Sequence, residues 1–536
     1  MKAHCSDRKD KAMWGKRRII AGLLAGLMLV CPMFPAHAEE DGTAGNDEEV
    51  NAAGETTDDA AANEEEKSPE EIAAEEEAAR KQASYDTPAD SNRLENWPAG
   101  PNVYAASAVV MDMDSGAVLY SKKSDEQHYP ASITKLLTVL VALENADLTD
   151  TITFSQESID ILSWDDANIA MKPGEQISLN DALYAVLLAS ANEVSYAVAE
   201  NVGNTMGVGY QGFIDRMNER AAELGCTGSH WVNANGLHDE QHYTTAYDMA
   251  LIASAVYQQE QFRTIMGTLE YRIGKTAMTD EERVFQQNHK MLWPENYYYY
   301  EYCTGGKTGY TDQSGTTLVT MADNGTMRLA AVVLADYGVD AYDDTRAMMD
   351  YAFANFTKVK LAEQNLPEDI ESYSDPEAYV VLPAGVEFSD LDLEIREPAE
   401  TKENTAMEDS AAEISTAAGT GVSGDGEENT VGEDSRLATV VYTYQGQQVG
   451  QTEVTLSDLY YEKKAEAGSS TGQETADTAG DKTETTSSDM SMGTALAIAA
   501  AIAVVAALIL WGLVRRKRKA LAKKRRRQRK RDRRRR

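Results

Sequence analysis

The sequence predicts an α/β (α+β) fold, a sheet covered by helices, followed by a small β-rich domain and a C-terminal transmembrane helix. Three observations carry this. Strand-like runs stand at both ends of residues 99–358, with apolar helical runs between them. Four further alternating runs follow, split by an acidic insertion. Finally, the 21 residues from Thr494 to Val514 carry no charge, which is long enough to cross the hydrocarbon core.

In chain order, residues 1–38 read as a signal peptide. A basic start ends in Lys16-Arg17-Arg18, an apolar run spans Ile19 to Val30, and Ala36-His37-Ala38 gives a small-x-small cleavage pattern. The run is short for an uncleaved anchor. Residues 39–98 are acidic, with no aromatic residue from 39 until Tyr85. They are read as a disordered arm, transiently helical around Glu70 to Lys81, because they offer too little apolar area to offset ordering.

In the globular stretch, Ser107 to Asp112 and Ala117 to Lys122 read as strands joined at Asp114-Ser115-Gly116. Ile133 to Leu143 is an apolar helical run, and Ser178 to Ala189 a second one with Ser178 as N-cap. Phe213, Met217, Ala221 and Leu224 line a third helix that Gly225 ends. Thr316 to Met321 and Arg328 to Ala335 form a hairpin over Asn324-Gly325. Ala341 to Phe356 is a closing helix. Residues 359–460 read as the β-rich domain, with strands at Tyr379 to Leu382, Val386 to Ile395, Leu437 to Tyr444 and Gln447 to Leu456, and a disordered insertion at 398–435. A stalk (461–493), the membrane span (494–514) and a basic tail (515–536) complete the chain.

Charge is distributed to match. The net charge is −38, yet residues 1–38 balance to +5 and residues 515–536 to +16, leaving −59 in between. So acidic a surface repels phosphate backbones and argues against a nucleic-acid partner. The basic tail beside a span fits attraction to anionic inner-leaflet lipid, and the positive-inside rule keeps it cytoplasmic. Four cysteines (Cys5, Cys31, Cys226, Cys303) are too few for a disulfide scaffold or a Cys-rich zinc module.

Three short motifs carry the chemistry. Ser132-Ile133-Thr134-Lys135 puts a hydroxyl and an amine three residues apart on one helical face. A lysine whose pKa is lowered by burial can take the serine's proton. Alone the pattern is weak, since Ser6-Asp7-Arg8-Lys9 shares it. Ser190-Ala191-Asn192 offers a hydroxyl to relay a proton and an amide to hold a carbonyl; Ser178-Leu179-Asn180 has the same spacing and is explained as a cap. Lys307-Thr308-Gly309 follows Gly305-Gly306 and leads into the hairpin. A strand edge there can pair with an extended substrate.

The ordered triple within one domain resembles the serine-type D-alanyl-D-alanine carboxypeptidases, the low-molecular-mass penicillin-binding proteins. Further matches are Met217-Asn218 with Ala221 and Leu224-Gly225, Asn233-Ala234-Asn235-Gly236-Leu237 followed by His242 and Thr244 to Met249, Asn288, and Gly309-Tyr310-Thr311. The resemblance covers residues 100–358 and, more loosely, the β-rich piece to 457. It implies a serine penicillin-recognising fold, with residues 99–358 as the catalytic domain. It implies Ser132 as nucleophile, Lys135 as general base, and Ser190 as proton relay with Lys307 keeping the proton balance. Asn192, Lys307, Thr308, Gly309 and Tyr310 would bind substrate, and the N–H groups of Ser132 and Tyr310 would form the oxyanion hole. The implied reaction removes the terminal D-alanine from peptidoglycan stem pentapeptides through an acyl-enzyme, in cell-wall remodelling, with β-lactams as inhibitors and no cofactor or metal. The implied location is the cell membrane, single-pass, with the catalytic domain extracellular.

Other readings are a D,D-endopeptidase or a β-lactamase-like hydrolase on the same fold, or a non-catalytic wall-binding surface protein. The last predicts loss of a motif residue, and none is lost. Fast deacylation in class A β-lactamases needs an extra Glu; Glu157 and Glu175 are present without a clear match to that loop. His238 and His242 are four apart, but His242 has a structural place in the family signature. Cys226 and Cys303 are either a disulfide or two buried thiols. One departure stands out. Many relatives carry a carboxylate-gripping arginine where this chain aligns Ala341, and Arg346 lies about 1.4 turns further on. Lys307, Thr308 and Thr311 are then expected to hold a terminal carboxylate largely alone.

Overall fold

The structure is a computed structural model that describes residues 68–398 and 436–471. The predicted signal peptide, membrane span, basic tail, insertion from 399 and stalk beyond 471 lie outside the described residues. Among the described residues no helix is long and apolar enough to cross a membrane.

The first strands and the last hairpin of the catalytic stretch form one antiparallel sheet in the order β2(Val118–Lys122), β1(Ser107–Asp112), β9(Arg328–Asp336), β8(Gly315–Asp323), β7(Cys303–Thr311). Chain ends meet in the middle: Val110 sits opposite Ala331 and Met111 opposite Ala330. Small ribbons, β3(Thr151–Thr153) with β4(Gln176–Ser178) and β5(Glu270–Ile273) with β6(Arg283–Gln286), lie between. The predicted hairpin is present. Its turn is held by the Asn324 side-chain oxygen Oδ1, which accepts the N–H groups of Thr326 and Met327 at 2.9 Å each.

Both faces of the sheet are covered, which is why successive residues such as Ala108 to Met111 and Val118 to Tyr120 are apolar on both faces. Val109 and Met111 face the larger core, built with α2(Lys135–Asn145), α4(Leu179–Leu188), α5(Asn192–Thr205), α6(Gly209–Glu223), α7(Ala246–Tyr257) and α8(Glu260–Met266). Ala108 and Val110 face the other core, where α9(Asp340–Asn355) contributes Met348 and Met349. Each fully buried valine, leucine or methionine side chain among these contributes about 1.5–3 kcal/mol. α2 is buried from Lys135 through Ala142, as expected of a helix apolar all round. Ser178 caps α4 by accepting the Asp181 N–H at 3.1 Å, and Ser155 caps the short α3(Gln156–Asp160) in the same way.

Two readings need correction. Residues 68–98 are not a disordered arm. α1(Pro69–Asp86) opens with a capping box between Ser68 and Glu71, and Trp97 is buried against Phe356 and Tyr444. α1 carries no continuous apolar stripe and docks through single groups: Lys81 pairs with Asp340, Tyr85 packs on Tyr104, and the buried Lys122 ammonium donates to the Ser84 carbonyl at 2.7 Å. Such docking leaves no apolar period to read. Nor is Val386 to Ile395 one strand. Its first half is a turn, in which Asp390 accepts the Glu387 N–H at 2.9 Å, and only β13(Asp392–Arg396) pairs.

After α9, β10(Phe356–Lys360) pairs with β12(Tyr379–Pro383). A four-stranded sheet follows in the order β11(Ile370–Tyr373), β15(Gln447–Leu456), β14(Leu437–Tyr444), β13, and α10(Asp458–Thr471) ends the described chain. This sheet is latched to the β1–β2 turn. Gln451 N–H donates to Ser115 O at 2.8 Å, and the Gln448 amide donates to Gly116 O at 3.0 Å.

Candidate active site

Ser132 stands on a 3₁₀ turn, Ala131–Thr134, that feeds α2, whose first residue is Lys135. In a 3₁₀ turn residues three apart eclipse, and the Lys135 ammonium lies 2.9 Å from Ser132 Oγ. It also contacts Asn192 Oδ1 at 2.7 Å and Asn235 O at 2.5 Å. Lys135 is fully buried; burial, and then the positive charge of Lys307, push its pKa well below the ordinary value. The partner set suits the resulting amine. Two N–H bonds serve the two carbonyl oxygens, and the lone pair is left facing the serine hydroxyl.

The second motif occupies the turn between α4 and α5. Ser190 is nearly buried and holds φ at +59°, a conformation uncommon for a side-chain-bearing residue and frequent at functional sites. The third motif lies in the middle of β7. Lys307 reaches Ser190 Oγ at 2.9 Å and Thr308 O at 2.8 Å, and burial lowers its pKa to about 7. All three motifs therefore meet at one place. Asn192 turns its carbonyl oxygen onto Lys135, so that oxygen is not directed at the open cavity.

Two glycines make the convergence sterically feasible. A Cβ on Gly309 would sit 2.9 Å from Ser132 N and 2.4 Å from Thr317 Oγ1. A Cβ on Gly236, whose φ is +84°, would sit 1.9 Å from Ala131 O. The backbones of β7 and of the Asn233–Leu237 loop thus press directly on the serine turn. Thr317 Oγ1 ties that turn to β8 by donating to Pro130 O at 2.8 Å.

The central signature is a positioning network. Asn233 Oδ1 accepts the Gly236 N–H at 2.7 Å, which orients Asn235 O toward Lys135. His242 Nδ1 accepts the Val232 N–H, and Nε2 lies 2.8 Å from Thr134 Oγ1. Burial holds His242 down to about 3, so it is neutral. Both of its nitrogens are occupied, while His238 packs edge-on against Tyr129. Glu175 is fully buried, bound by both Arg283 amino groups at 2.9 Å each and by Thr276 at 2.6 Å, which leaves it no role as a water-activating base. Cys226 and Cys303 are separate free thiols.

A cavity of about 500 Å³ opens in front of Ser132 and Ser190. Thr308, Gly309 and the exposed Tyr310 form one wall; Lys290, Ala341 and Tyr342 contribute to another. Arg346 is not part of it. Its guanidinium donates to Tyr299 O at 2.8 Å and lies over Tyr300. Two further groups at the site, the Asn235 carbonyl and Lys290, carry no clear site signal in the sequence. Asn235 sits in the recognisable signature, but a backbone acceptor has no side-chain signal; Lys290 is a lone lysine ahead of a tyrosine run. A second cavity of about 490 Å³, between Tyr247 and the C-terminal sheet at Arg396, gathers no comparable nucleophile–base set.

A helix-covered antiparallel sheet with a serine–lysine pair at the start of its central helix, facing a lysine-bearing strand, defines the class: this is a penicillin-binding-protein-like α/β fold. Residues 95–338 match the family described as D-alanyl-D-alanine carboxypeptidase, peptidase S11. The chain is 31% identical over 270 residues to the D-alanyl-D-alanine carboxypeptidase DacF of Bacillus subtilis, covering 49% of this chain and 65% of the relative. It is 30% identical over 274 residues to DacC of Escherichia coli, covering 48% and 64%. The crystal structure of the Streptomyces K15 DD-transpeptidase aligns at 26% identity over 48% of this chain and 100% of that one, with a TM-score of 0.44. The chain spans slightly less than two-thirds of the length of these curated relatives.

Proposed function

We propose that the protein is a serine D-alanyl-D-alanine carboxypeptidase that removes the terminal D-alanine from peptidoglycan stem pentapeptides. The observation that carries this reading is the 2.9 Å contact between Ser132 Oγ and a fully buried Lys135 amine. Lys135 takes the hydroxyl proton as Ser132 Oγ bonds to the penultimate D-alanine carbonyl carbon. The resulting oxyanion is held by the N–H groups of Ser132 and Tyr310; the close approach of the Ser132 backbone to Gly309 supports this pairing. One such donor is worth about 3 kcal/mol in the transition state. The C–N bond then breaks. Ser190, bonded to Lys307, relays a proton to the leaving amine, and D-alanine departs. Water attacks the ester, regenerates Ser132 and releases the shortened peptide. Asn192 positions Lys135, and Thr308, Gly309 and Tyr310 line the substrate's path along β7. β-Lactams would acylate the same serine.

The sequence supports the setting. An exported leader, a β-rich spacer at 359–460, a span at Thr494 to Val514 and a basic cytoplasmic tail would hold the catalytic domain outside the cell on a single membrane anchor. The test is mass spectrometry of a stem pentapeptide incubated with the purified full-length chain. Loss of one alanine supports the proposal. An intact peptide, or cleavage only of a crosslinked dimer, overturns it, the second outcome in favour of endopeptidase action.

A further inference from the structure

Among the described residues, the lining of the cavity in front of Ser132 includes one cation, Lys290, that the acyl-transfer machinery does not use. Lys135 and Lys307 are fully buried and bonded to internal acceptors. Lys290, on the cavity wall, differs. It is half-buried, and its ammonium lies 5.6 Å from the ring centroids of both Tyr298 and Tyr342. Those rings stack on each other with centroids 5.1 Å apart. At that range the aromatic faces orient a cation weakly and leave its charge unneutralised. Among the described residues no carboxylate pairs with it.

Its backbone is fixed. Lys290 begins the short turn Lys290–Leu292 between the buried His289 and Met291. The neighbouring wall position, Ala341, is fully buried and offers only a methyl group. Arg346 is turned onto Tyr299 and Tyr300. An anionic group entering beside Thr308 therefore meets Lys290 as the available positive charge on that wall.

The geometry points to Lys290 as the specificity-determining residue that receives the free C-terminal carboxylate of the substrate, an inference that rests on the carboxypeptidase reading above. A lysine is a mobile point charge, not a planar fork, so it selects a carboxylate over a neutral end without fixing its orientation. The rows of the site then divide the work: Ser132 and its bases act on the scissile carbonyl, and Lys290 reads the charge one residue beyond it.

The experiment measures kcat/KM of the full-length chain on a peptide ending in D-Ala-D-Ala and on its C-terminal amide. The parent, Lys290→Gln, Lys290→Arg and the Lys290→Gln/Ala341→Arg double variant are compared, each checked by thermal melting. The acid-to-amide ratio should fall about tenfold or more in Lys290→Gln, stay near the parent's in Lys290→Arg, and recover in the double variant. An unchanged ratio in Lys290→Gln, or a parent with no preference for the acid, overturns the assignment. Acylation by benzylpenicillin against its methyl ester supplies the same comparison without peptide turnover. Parent protein that is acylated but turns over neither peptide would count against the carboxypeptidase reading, while the penicillin pair still decides the role of Lys290.

Discussion

The Lys307 ammonium donates to Ser190 Oγ across 2.9 Å, joining β7 to the α4–α5 turn by a bond buried at both ends. This links the third motif to the second as firmly as Lys135 links the first to Asn192. Ser132→Lys135→Asn192 and Lys307→Ser190 are two arms converging on one cavity, and the strained φ of Ser190 is what aims its hydroxyl between them.

That contact predicts a titration. Burial brings Lys307 from its ordinary range to about 7, so it sheds its proton near neutrality. Acylation by a fluorescent penicillin should show a pH limb near 7 that is absent in Lys307→Arg, whose guanidinium stays charged. Ser190→Ala should slow acylation by about 10²-fold, the scale of a lost proton relay. A Ser190→Ala protein acylated at the parental rate would remove Ser190 from the relay.

Gly236 should be the least replaceable glycine at the site. A methyl there meets Ala131 O at 1.9 Å and demands φ +84°; the clash is with backbone, so the serine turn itself must move. Gly236→Ala is expected to abolish penicillin labelling and to lower the melting temperature. Gly207→Ala, also at positive φ but with nothing within 4 Å, should cost about 1 kcal/mol and keep labelling. Full labelling of Gly236→Ala would show that the close approach is not needed.

These residues also show where the sequence was legible. The three motifs could be read because acyl transfer demands fixed residue types at short spacing, and the sheet could be read because β1, β2 and the β8–β9 hairpin are apolar runs with turn residues between them. What escaped has a common cause. α1 docks by Lys81 and Ser84 and not by an apolar stripe. The Asn235 carbonyl is main chain. Lys290 gains meaning only from the tyrosine faces that distant segments bring to it. Val386 to Ile395 alternates like a strand, yet local bonding between Glu387 and Asp390 folds its first half into a turn.

The buried pair Asp336 and Asp344 predicts a second pH dependence, this time of stability. Asp344 accepts the Tyr104 and Ala105 N–H groups at 2.5 and 3.0 Å, and Asp336 accepts the Tyr337 N–H at 2.7 Å, while its second oxygen has no hydrogen-bond partner among the described residues. Burial, then repulsion from Asp344, raises Asp336 to about 8. The folded protein thus keeps a proton that the unfolded chain releases above about pH 4, and this contribution is lost as pH rises toward 8. Lys307 works in the opposite sense above pH 7, so the parent alone does not isolate the pair. Asp336→Asn should stabilise by about 1–2 kcal/mol more at pH 8 than at pH 5.5. An equal effect at both pH values would mean that Asp336 holds no extra proton in the folded state.

Topology is predicted by the flanking segments. On the proposed reading, the uncharged run from Thr494 to Val514 and the basic residues after it would put residues 39–493 outside the cell. Protease added to intact cells should remove the catalytic segment and spare an epitope on the basic tail. Protection of the catalytic segment in intact cells would reverse the orientation.

The last prediction concerns the charge state on which the chemistry depends. Lys135 has three partners at 2.5–2.9 Å. As an ammonium it would spend three protons on them and could accept none from Ser132. As an amine it keeps two donors for Asn192 and Asn235 and a lone pair for the hydroxyl. Burial and the nearby Lys307 both favour the amine, so the base is prepared before substrate arrives. Ser132→Ala should then lose penicillin labelling entirely while melting close to the parent, because the two carbonyl partners of Lys135 remain and the serine is only half-buried. Lys135→Arg should also lose labelling, for a different reason: a guanidinium does not give up its proton, and burying that fixed charge where an amine sat should lower the melting temperature as well. Labelling of Ser132→Ala at the parental level would place the nucleophile elsewhere. Labelling of Lys135→Arg at the parental level would show that the proton leaves Ser132 by another route.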